Sequence, residues 1–423
     1  MYSRPSLNSV NVLLMNDAAT LNAVRIPLGS EISLDAPLPR PWQDLWEMKR
    51  LEALDHYGHA DFHASSPEKL RANWAIDDDE WAANIVALYL PADAALAHSS
   101  HITSTDREFD VETGETMVGL ISVSFPLRDN LDMAYLSIFV PERYRGHGIE
   151  AASLAFARSI VERENRTKIG VWTPIRTPDP GEQVQRPVTG PGEIPVADQR
   201  GRLYAENGFY LAAVEKSSML HLGVGDERTP IIARLSARRD ELSPEGYAVR
   251  CWEGPTPGDL IDELVGAWNK FEADMPRAEG TDPETQTTTT FAKNETNLIQ
   301  RGWYRLYAAV VDNDGSIVAL SGVQHRNSST AYHSVTWVHP DHRGKSLGEF
   351  VKTVNYLDLT DKYPGVERVM TENAESNGPM WAINERLGFT VAYLEANWYS
   401  CLVDGVWGPE RPDVPGEANS PRN

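Results

Sequence analysis

The pattern of apolar and polar positions divides the chain into two series of elements that run in the same order. In the first, an aromatic amphipathic stretch at 41–58 (PWQDLWEMKRLEALDHYG) precedes two runs that read as strands, ANIVALYL at 83–90 and ETMVGLISVSF at 115–125. A third strand, LDMAYLSIFV at 131–140, runs straight into a loop of arginines and glycines. That loop opens on IEAASLAFARSIVEREN, which is apolar-rich and long enough for about four helical turns. A strand at 168–173, a proline-rich insertion at 174–197, a helical segment near 198–207 and an apolar strand at 209–214 follow.

The second series repeats this succession. GYAVRCW at 246–252 predicts a strand, and PTPGDLIDELVGAWNKF predicts a helix with Thr256 as N-cap and Pro257 as its first residue. Leu260, Ile261, Leu264, Val265 and Trp268 share one face of that helix. YRLYAAVVDNDGSIVALSGVQHR reads as a hairpin turning at Asp312-Asn313-Asp314-Gly315. The strand AYHSVTWV at 331–338 feeds a second loop, and SLGEFVKTVNYLDL places Leu347, Phe350, Val351, Val354 and Leu357 on one helical stripe. A strand at 367–373, a helix at 377–388 and a strand at 389–395 close the series. The expectation is a tandem α/β duplication with units at 1–221 and 246–403, a linker at 222–245 and a flexible tail at 404–423.

A chain of 423 residues, 41% hydrophobic and 24% charged, suits two globular domains. No stretch approaches the ~20 apolar residues of a membrane span, and no cleavage pattern follows the short VNVLLM run near the start, so a cytoplasmic location is expected. Cys251 and Cys401 lie far apart without metal-site spacing, which suggests neither a disulfide framework nor a zinc centre. With 61 acidic against 39 basic side chains, the chain lacks the basic footprint of a nucleic-acid binder and is compatible with a cationic substrate. His56, His59 and His63 could share a helical face, but without a glutamate in a recognised spacing they predict no metal site.

The two loops carry the chemistry. Arg143-Tyr144-Arg145-Gly146-His147-Gly148 sits between a strand and a helix, as does His339-Pro340-Asp341-His342-Arg343-Gly344-Lys345-Ser346. A loop of this kind presents successive backbone N–H groups at the positive end of a helix dipole, and glycine lets an anion come close. The spacing is neither that of a nucleoside triphosphate loop nor that of a dinucleotide fingerprint. One such loop could be a bland tight turn; two in matching contexts point to an anion site.

These residues resemble the pyrophosphate loop of the GNAT superfamily of N-acetyltransferases, Arg/Gln-x-x-Gly-x-Gly/Ala. The first loop matches at every fixed position. The second keeps Val338, Pro340, Arg343 and Gly344 but has Asp341 and Ser346 where Arg/Gln and Gly/Ala are usual. The family's downstream pattern, an asparagine, a tyrosine seven residues on and then Gly-Phe, is divided between the halves. The second half has Asn377 and Gly388-Phe389 with Asn384 at the tyrosine position; the first has Tyr204 before Gly208-Phe209 with Ala197 at the asparagine position.

The resemblance implies two GNAT-like domains, each a mixed, mostly antiparallel central sheet flanked by helices, in a layout distantly similar to that of mycothiol synthase. It implies that acetyl-CoA, as co-substrate, binds at Phe139, Val140, Arg143, Arg145, Gly146, His147, Gly148 and Ile149, or at Trp337, Val338, Arg343, Gly344, Lys345, Ser346, Leu347 and Gly348, and Asn373 and Asn377 are also expected among the cofactor-binding residues. Tyr204 stands at the position that protonates the departing thiolate, His333 is the candidate base, and Asn384 is expected to face the cleft while Asn377 caps its helix.

The expected activity is acetyl transfer to a primary amine of a small molecule, without metal, by a monomer or homodimer. The C-terminal unit is favoured as the active one because its downstream segment is uninterrupted. A CoA-binding scaffold without turnover, or an acyltransferase for protein amines, is the alternative. Trp42, Trp46, Trp303 and Trp398 are core anchors or cleft-lining residues, and acceptor choice is expected to lie in the N-terminal helices and the loops 174–197 and 272–290.

Overall fold

The alternating runs form strands and the periodic ones helices, close to the expected bounds. The computed structural model describes residues 18–78, 80–104, 113–188, 190–275, 282–326 and 328–409. Strand β1 (Ala18–Arg25), helices α1 (Arg40–Tyr57) and α2 (Pro67–Trp74), and strands β2 (Trp81–Leu90), β3 (Ser99–Ser104), β4 (Thr116–Pro126) and β5 (Met133–Phe139) lead to the first glycine loop and α3 (Ile149–Arg163). Next come β6 (Lys168–Ile175), a short ribbon of β7 (Val184–Gln185) and β8 (Ile194–Pro195), α4 (Gln199–Glu206) and β9 (Tyr210–His221). The rest of the chain gives α5 (Arg228–Leu242), β10 (Ala248–Glu253), α6 (Ile261–Asp274), α7 (Thr288–Gln300), β11 (Tyr304–Val311), β12 (Ile317–His325) and β13 (Thr330–Val338). After the second loop follow α8 (Leu347–Lys362), β14 (Arg368–Ala374), α9 (Gly378–Leu387), β15 (Thr390–Val403) and β16 (Val406–Gly408).

These elements build two units whose make-up is not simply first half and second half. Unit 1 takes the described residues through Thr173, Ala197–Leu211 and those from Asn397 onward; unit 2 takes Pro174–Val196 and Ala212–Ala396. Most of β9 therefore belongs to unit 2, where it pairs antiparallel with β14, Ser217 opposite Glu372 and Glu215 opposite Ala374. The end of β15 belongs to unit 1. Unit 1 has the strand order β3-β1-β2-β4-β5-β6 and then the end of β15; unit 2 has β10-β11-β12-β13-β14-β9 and then the start of β15. Both sheets are mixed and mostly antiparallel, with parallel pairing of β1 with β3 and β5 with β6 in unit 1 and of β13 with β14 in unit 2.

Several segments differ from expectation. Residues 222–245, read as a linker, hold α5, whose Arg238 reaches the buried Glu349 of α8 (Nε to Oε1, 2.6 Å). Arg386 of α9 holds the other oxygen of Glu349 at 2.7 Å. Thr256 does not cap α6, which begins at Ile261. Its backbone N–H and hydroxyl donate instead to Glu295 of α7, at 2.9 and 2.8 Å. Within the expected tail, β16 pairs with β15 and Trp407 donates to Glu162 at 2.6 Å; residues 410–423 lie outside the described residues.

In unit 2, Leu347, Phe350 and Val351 of α8 pack on Ala308, Val310, Val318 and Ala319 of β11 and β12. Each such side chain contributes roughly 1.5–3 kcal/mol by burial. This packing fixes the N-terminus of α8 beside the end of β13, where the second glycine loop lies.

Candidate active site

In both units the parallel strand pair opens like a wedge. β5 and β6 pair only from Met133 opposite Lys168 to Tyr135 opposite Gly170, and β13 and β14 only from Thr330 opposite Arg368 to Tyr332 opposite Met370. Beyond these points the facing backbone edges have no ladder partner among the described residues. The units differ in the strand before the loop. β4 and β5 pair in unbroken register, whereas β12 and β13 slip by one residue between Gly322 opposite Val335 and Val323 opposite His333. Ser334 is the extra residue of this bulge, and its hydroxyl folds back to Gly322 O at 3.2 Å. A Cβ on Gly322 would lie 2.6 Å from Val335 Cγ1, so the bulge needs glycine there.

The glycine loops superpose in their details. Gly146 and Gly148 have φ of 80° and 70°; Gly344 and Ser346 have 79° and 58°. Alternating positive φ turns successive N–H groups inward, the shape of an anion nest at a helix start. Among the described residues, the N–H groups of Gly146 to Gly148 and of Gly344 to Ser346 donate to no backbone carbonyl. Arg145 and Arg343 are held by protein groups beside the nest. Arg145 Nε donates to Val140 O (3.0 Å) and its Nη2 to Asp55 of α1 (2.9 Å). Arg343 repeats this with Val338 O (3.1 Å) and Asp274 of α6 (2.7 Å). Both brace the loop against a helix of their own unit, α1 in unit 1 and α6 in unit 2. Arg143 lies over the Tyr144 ring at 4.8 Å, and Lys345 donates to Tyr247 Oη at 2.9 Å. Phe139, Val140, Ile149, Trp337 and Leu347 are buried, so they can offer a ligand backbone groups only; Gly348 packs under Val338.

The first loop is also partly covered. A Cβ on Gly148 would come within 3.0 Å of Ser99 Cα and 3.1 Å of Ser100 N. Ser100 Oγ donates to His147 O (2.8 Å), and His147 Nδ1 lies 2.9 Å from Ala97 O. The cover lies over Gly148 alone: at Gly146, as at its counterpart Gly344, a Cβ would meet nothing within 4 Å.

The predicted catalytic residues fall in two places. Asn384 is fully buried, not open to the cleft: its Oδ1 accepts from Lys352 Nζ (2.7 Å) and its Nδ2 donates to Asn373 Oδ1 (2.7 Å). Burial pushes the Lys352 ammonium down to about 7. Asn377 caps α9, its side chain accepting from Met380 N. His333 faces α8 beneath the sheet, 3.1 Å from Tyr356 Oη and 2.6 Å from Thr336 Oγ1, with both ring nitrogens engaged. Burial, with Lys352 beside it, holds it neutral far below the usual histidine range. This geometry gives His333 a structural place rather than that of a base. In unit 1, Tyr204 is 4% exposed, packed against Phe209 and Trp398, its phenol raised by burial while it bonds to Thr173. Trp42 and Trp398 are core, Trp46 donates to Ala64 O, and Trp303 lies under Arg326. Among the described residues no group of three or more His, Cys, Asp or Glu is arranged to hold a metal, and no helix is long and apolar enough to cross a membrane.

Sequence reasoning missed Glu372. It stands on β14 just past the point where β13 and β14 part, and Tyr332 Oη donates to its Oε2 at 3.2 Å. Burial, and the charge of Glu215 on β9, push its carboxyl up to about 7. Glu395 on β15 is raised well above the usual carboxylate range by burial and by these same two neighbours. Counting from the last paired residues, unit 1 has Trp172 at the position of Glu372, with Tyr135 4.9 Å away. A glutamate following the apolar pair Val369-Met370 was the available signal, but its neighbours come from three distant parts of the chain.

No family model and no curated protein matches the chain. Among solved structures it is similar to a tandem GNAT protein from the clavulanic acid biosynthesis pathway, at 18% identity over 90% of this chain and 98% of that one, with a TM-score of 0.61. It is similar to a GCN5-related N-acetyltransferase from Sphaerobacter thermophilus, at 14% identity over 91% and 97%, TM-score 0.55. The GCN5-related glucosamine N-acetyltransferase region of a fungal multi-domain GH3 β-N-acetylglucosaminidase matches at 13% identity over 93% of this chain and 39% of that one, TM-score 0.50. The fold is that of the tandem GNAT-type acetyltransferases.

Proposed function

We propose that the chain is an N-acetyltransferase in which unit 2 transfers an acetyl group from acetyl-CoA to a primary amine of a small molecule. The observation that carries this reading is the contrast at the mouth of the two wedges. Unit 2 places a carboxylate with a proton affinity suited to neutral pH, Glu372, where unit 1 places Trp172. An amine must lose a proton before or as it attacks a thioester, and a base with pKa near the working pH serves that step best.

In this mechanism the pyrophosphate of acetyl-CoA lies on the N–H groups of Gly344 to Ser346 at the start of α8, and the thioester reaches into the wedge. Glu372 takes the proton of the acceptor ammonium, directly or through water, and the neutral amine attacks the thioester carbonyl. The unpaired edge of β13 beyond Tyr332 supplies N–H groups for the oxyanion. Collapse of the intermediate releases CoA as its thiol and leaves the amide. Unit 1, with its covered loop and without the bulge, serves as the structural partner.

The test is calorimetric titration of acetyl-CoA into the wild type, Gly344→Glu and Gly146→Glu. A carboxylate at 344 has open space around it and would repel the pyrophosphate, so binding is expected to vanish in Gly344→Glu and persist in Gly146→Glu. The reverse pattern would move the active site to unit 1, and no binding by the wild type would end the acetyl-CoA reading.

A further inference from the structure

Glu372, Glu215 and Glu395 come from three neighbouring strands of unit 2, β14, β9 and β15, and act on one another electrostatically. All three are partly exposed, and Tyr332 lies with them, its hydroxyl on Glu372 and its ionisation disfavoured by burial and by each of the three carboxylates. Tyr393 also bonds to Glu372. Beneath them is Ser217. It is opposite Glu372 in the ladder and two residues along β9 from Glu215, so its side chain points to their face. Ser217 is fully buried, and its Oγ has no hydrogen-bond partner among the described residues.

A buried hydroxyl normally finds a partner. Left open among the described residues and on the same face as the carboxylates, that of Ser217 can accept from an N–H group that a ligand brings. Among the described residues the groups that act on Glu372 and Glu395 are each other, Glu215 and, at Glu372, two phenols, with burial the largest effect on both. Like charges held this close retain protons they would give up to a bound cation. Unit 1 has nothing comparable at the same place, where Trp172, Tyr135 and Tyr399 form a row of rings.

We infer that the acceptor is a diamine or longer oligoamine, with the reacting nitrogen at Glu372 and a second ammonium held by Glu215 and Glu395 over Ser217. Adjacent strands are ~4.8 Å apart, so the second ammonium sits roughly 5–10 Å from the first, the reach of about four to six methylenes. The inference rests on reading unit 2 as the transferring unit, but the binding it asserts can be measured without transfer.

The experiment is calorimetry at pH 7 with 1,4-diaminobutane and 1,6-diaminohexane against butylamine and hexylamine, each in two buffers of different ionisation enthalpy. At least one diamine is expected to bind about tenfold or more tighter than its monoamine, with protons released to the buffer, and Glu395→Gln is expected to erase the preference. Equal affinity for mono- and diamines, or binding without proton release, would overturn the inference; the buffer comparison uses wild-type protein, so it stands even where the variant fails to fold. With acetyl-CoA added, diamine binding without release of CoA thiol would sink the transferase reading and leave the oligoamine site. CoA release with monoamines in preference to diamines would do the opposite.

Discussion

Lys352 offers a direct measurement of how unit 2 is built. Its ammonium is fully buried, bonded to Asn384 Oδ1 at 2.7 Å and 5.2 Å from the Phe389 ring centre, and burial lowers it from the ordinary lysine value of 10.5 to about 7. In the unfolded chain Lys352 is protonated up to about pH 10, so between pH 7 and 10.5 unfolding takes up a proton. Stability therefore rises with pH across that window, and below about pH 7 the whole cost applies, about 5 kcal/mol at 1.36 kcal/mol for each tenfold change in proton affinity. Near pH 9 roughly 2 kcal/mol of it remains.

Lys352→Met keeps the length of the side chain and removes the charge, at the expense of leaving Asn384 Oδ1 without its donor, a loss of about 1–3 kcal/mol. The variant is expected to be more stable than wild type by about 2–4 kcal/mol at pH 6 and about equal to it at pH 9. Urea unfolding of both proteins at several pH values gives the difference, in which the titration of all other groups cancels. A wild-type minus variant difference that stays flat from pH 6 to 9 would refute the claim that a charged lysine is being buried.

Other consequences are as specific. Glu372→Gln should lower turnover by about 10²–10⁴ while leaving acetyl-CoA affinity unchanged, and the rise of wild-type activity with pH around neutrality, as the carboxyl loses its proton, should disappear in steady-state profiles. Glu349→Ala leaves Arg238 and Arg386 without their shared carboxylate but with access to water, and should destabilise unit 2 by about 1.5–3 kcal/mol in chemical unfolding. Tyr204→Phe should cost about 0.5–1.5 kcal/mol of stability through its bond to Thr173 and leave CoA release unchanged; a large loss of turnover would place the chemistry in unit 1.

The glycine loops, their helices and the repeated succession of elements were legible because each is a local pattern. β1 and β3 were not: AATLNAVR and SSHITS are short and half polar, and only pairing with each other and with β2 makes them strands. α5 was hidden by eight charged or polar residues in a segment that buries little beyond Leu235. His333 was misread because alternation counted back from Val338 puts it with Val335 and Trp337, and the bulge at Ser334 turns it to the α8 side instead. The carboxylate cluster was beyond reach for another reason. Alternation says which face a residue takes, not which strand lies beside it, and Glu215 meets Glu372 only because β9 pairs with β14.

The two units keep the same braces and differ in what those braces hold. Arg145 with Asp55 and Arg343 with Asp274 fix loops of like backbone shape, so positions can be compared one by one. Tyr204 bonds to Thr173 in unit 1, and at the same places in unit 2 Asn384 bonds to Asn373. The residue beside them, five past the start of the helix, is Leu154 in α3 and Lys352 in α8. A large aromatic with a short aliphatic has become a small amide with a long amine, an exchange that keeps the core filled while moving its polarity. Unit 2 thus presents no phenol at the point where Tyr204 stands in unit 1. If transfer occurs in unit 2, the departing thiolate takes its proton from the attacking ammonium or from water, and turnover should hold level above neutral pH rather than fall as a tyrosine ionises.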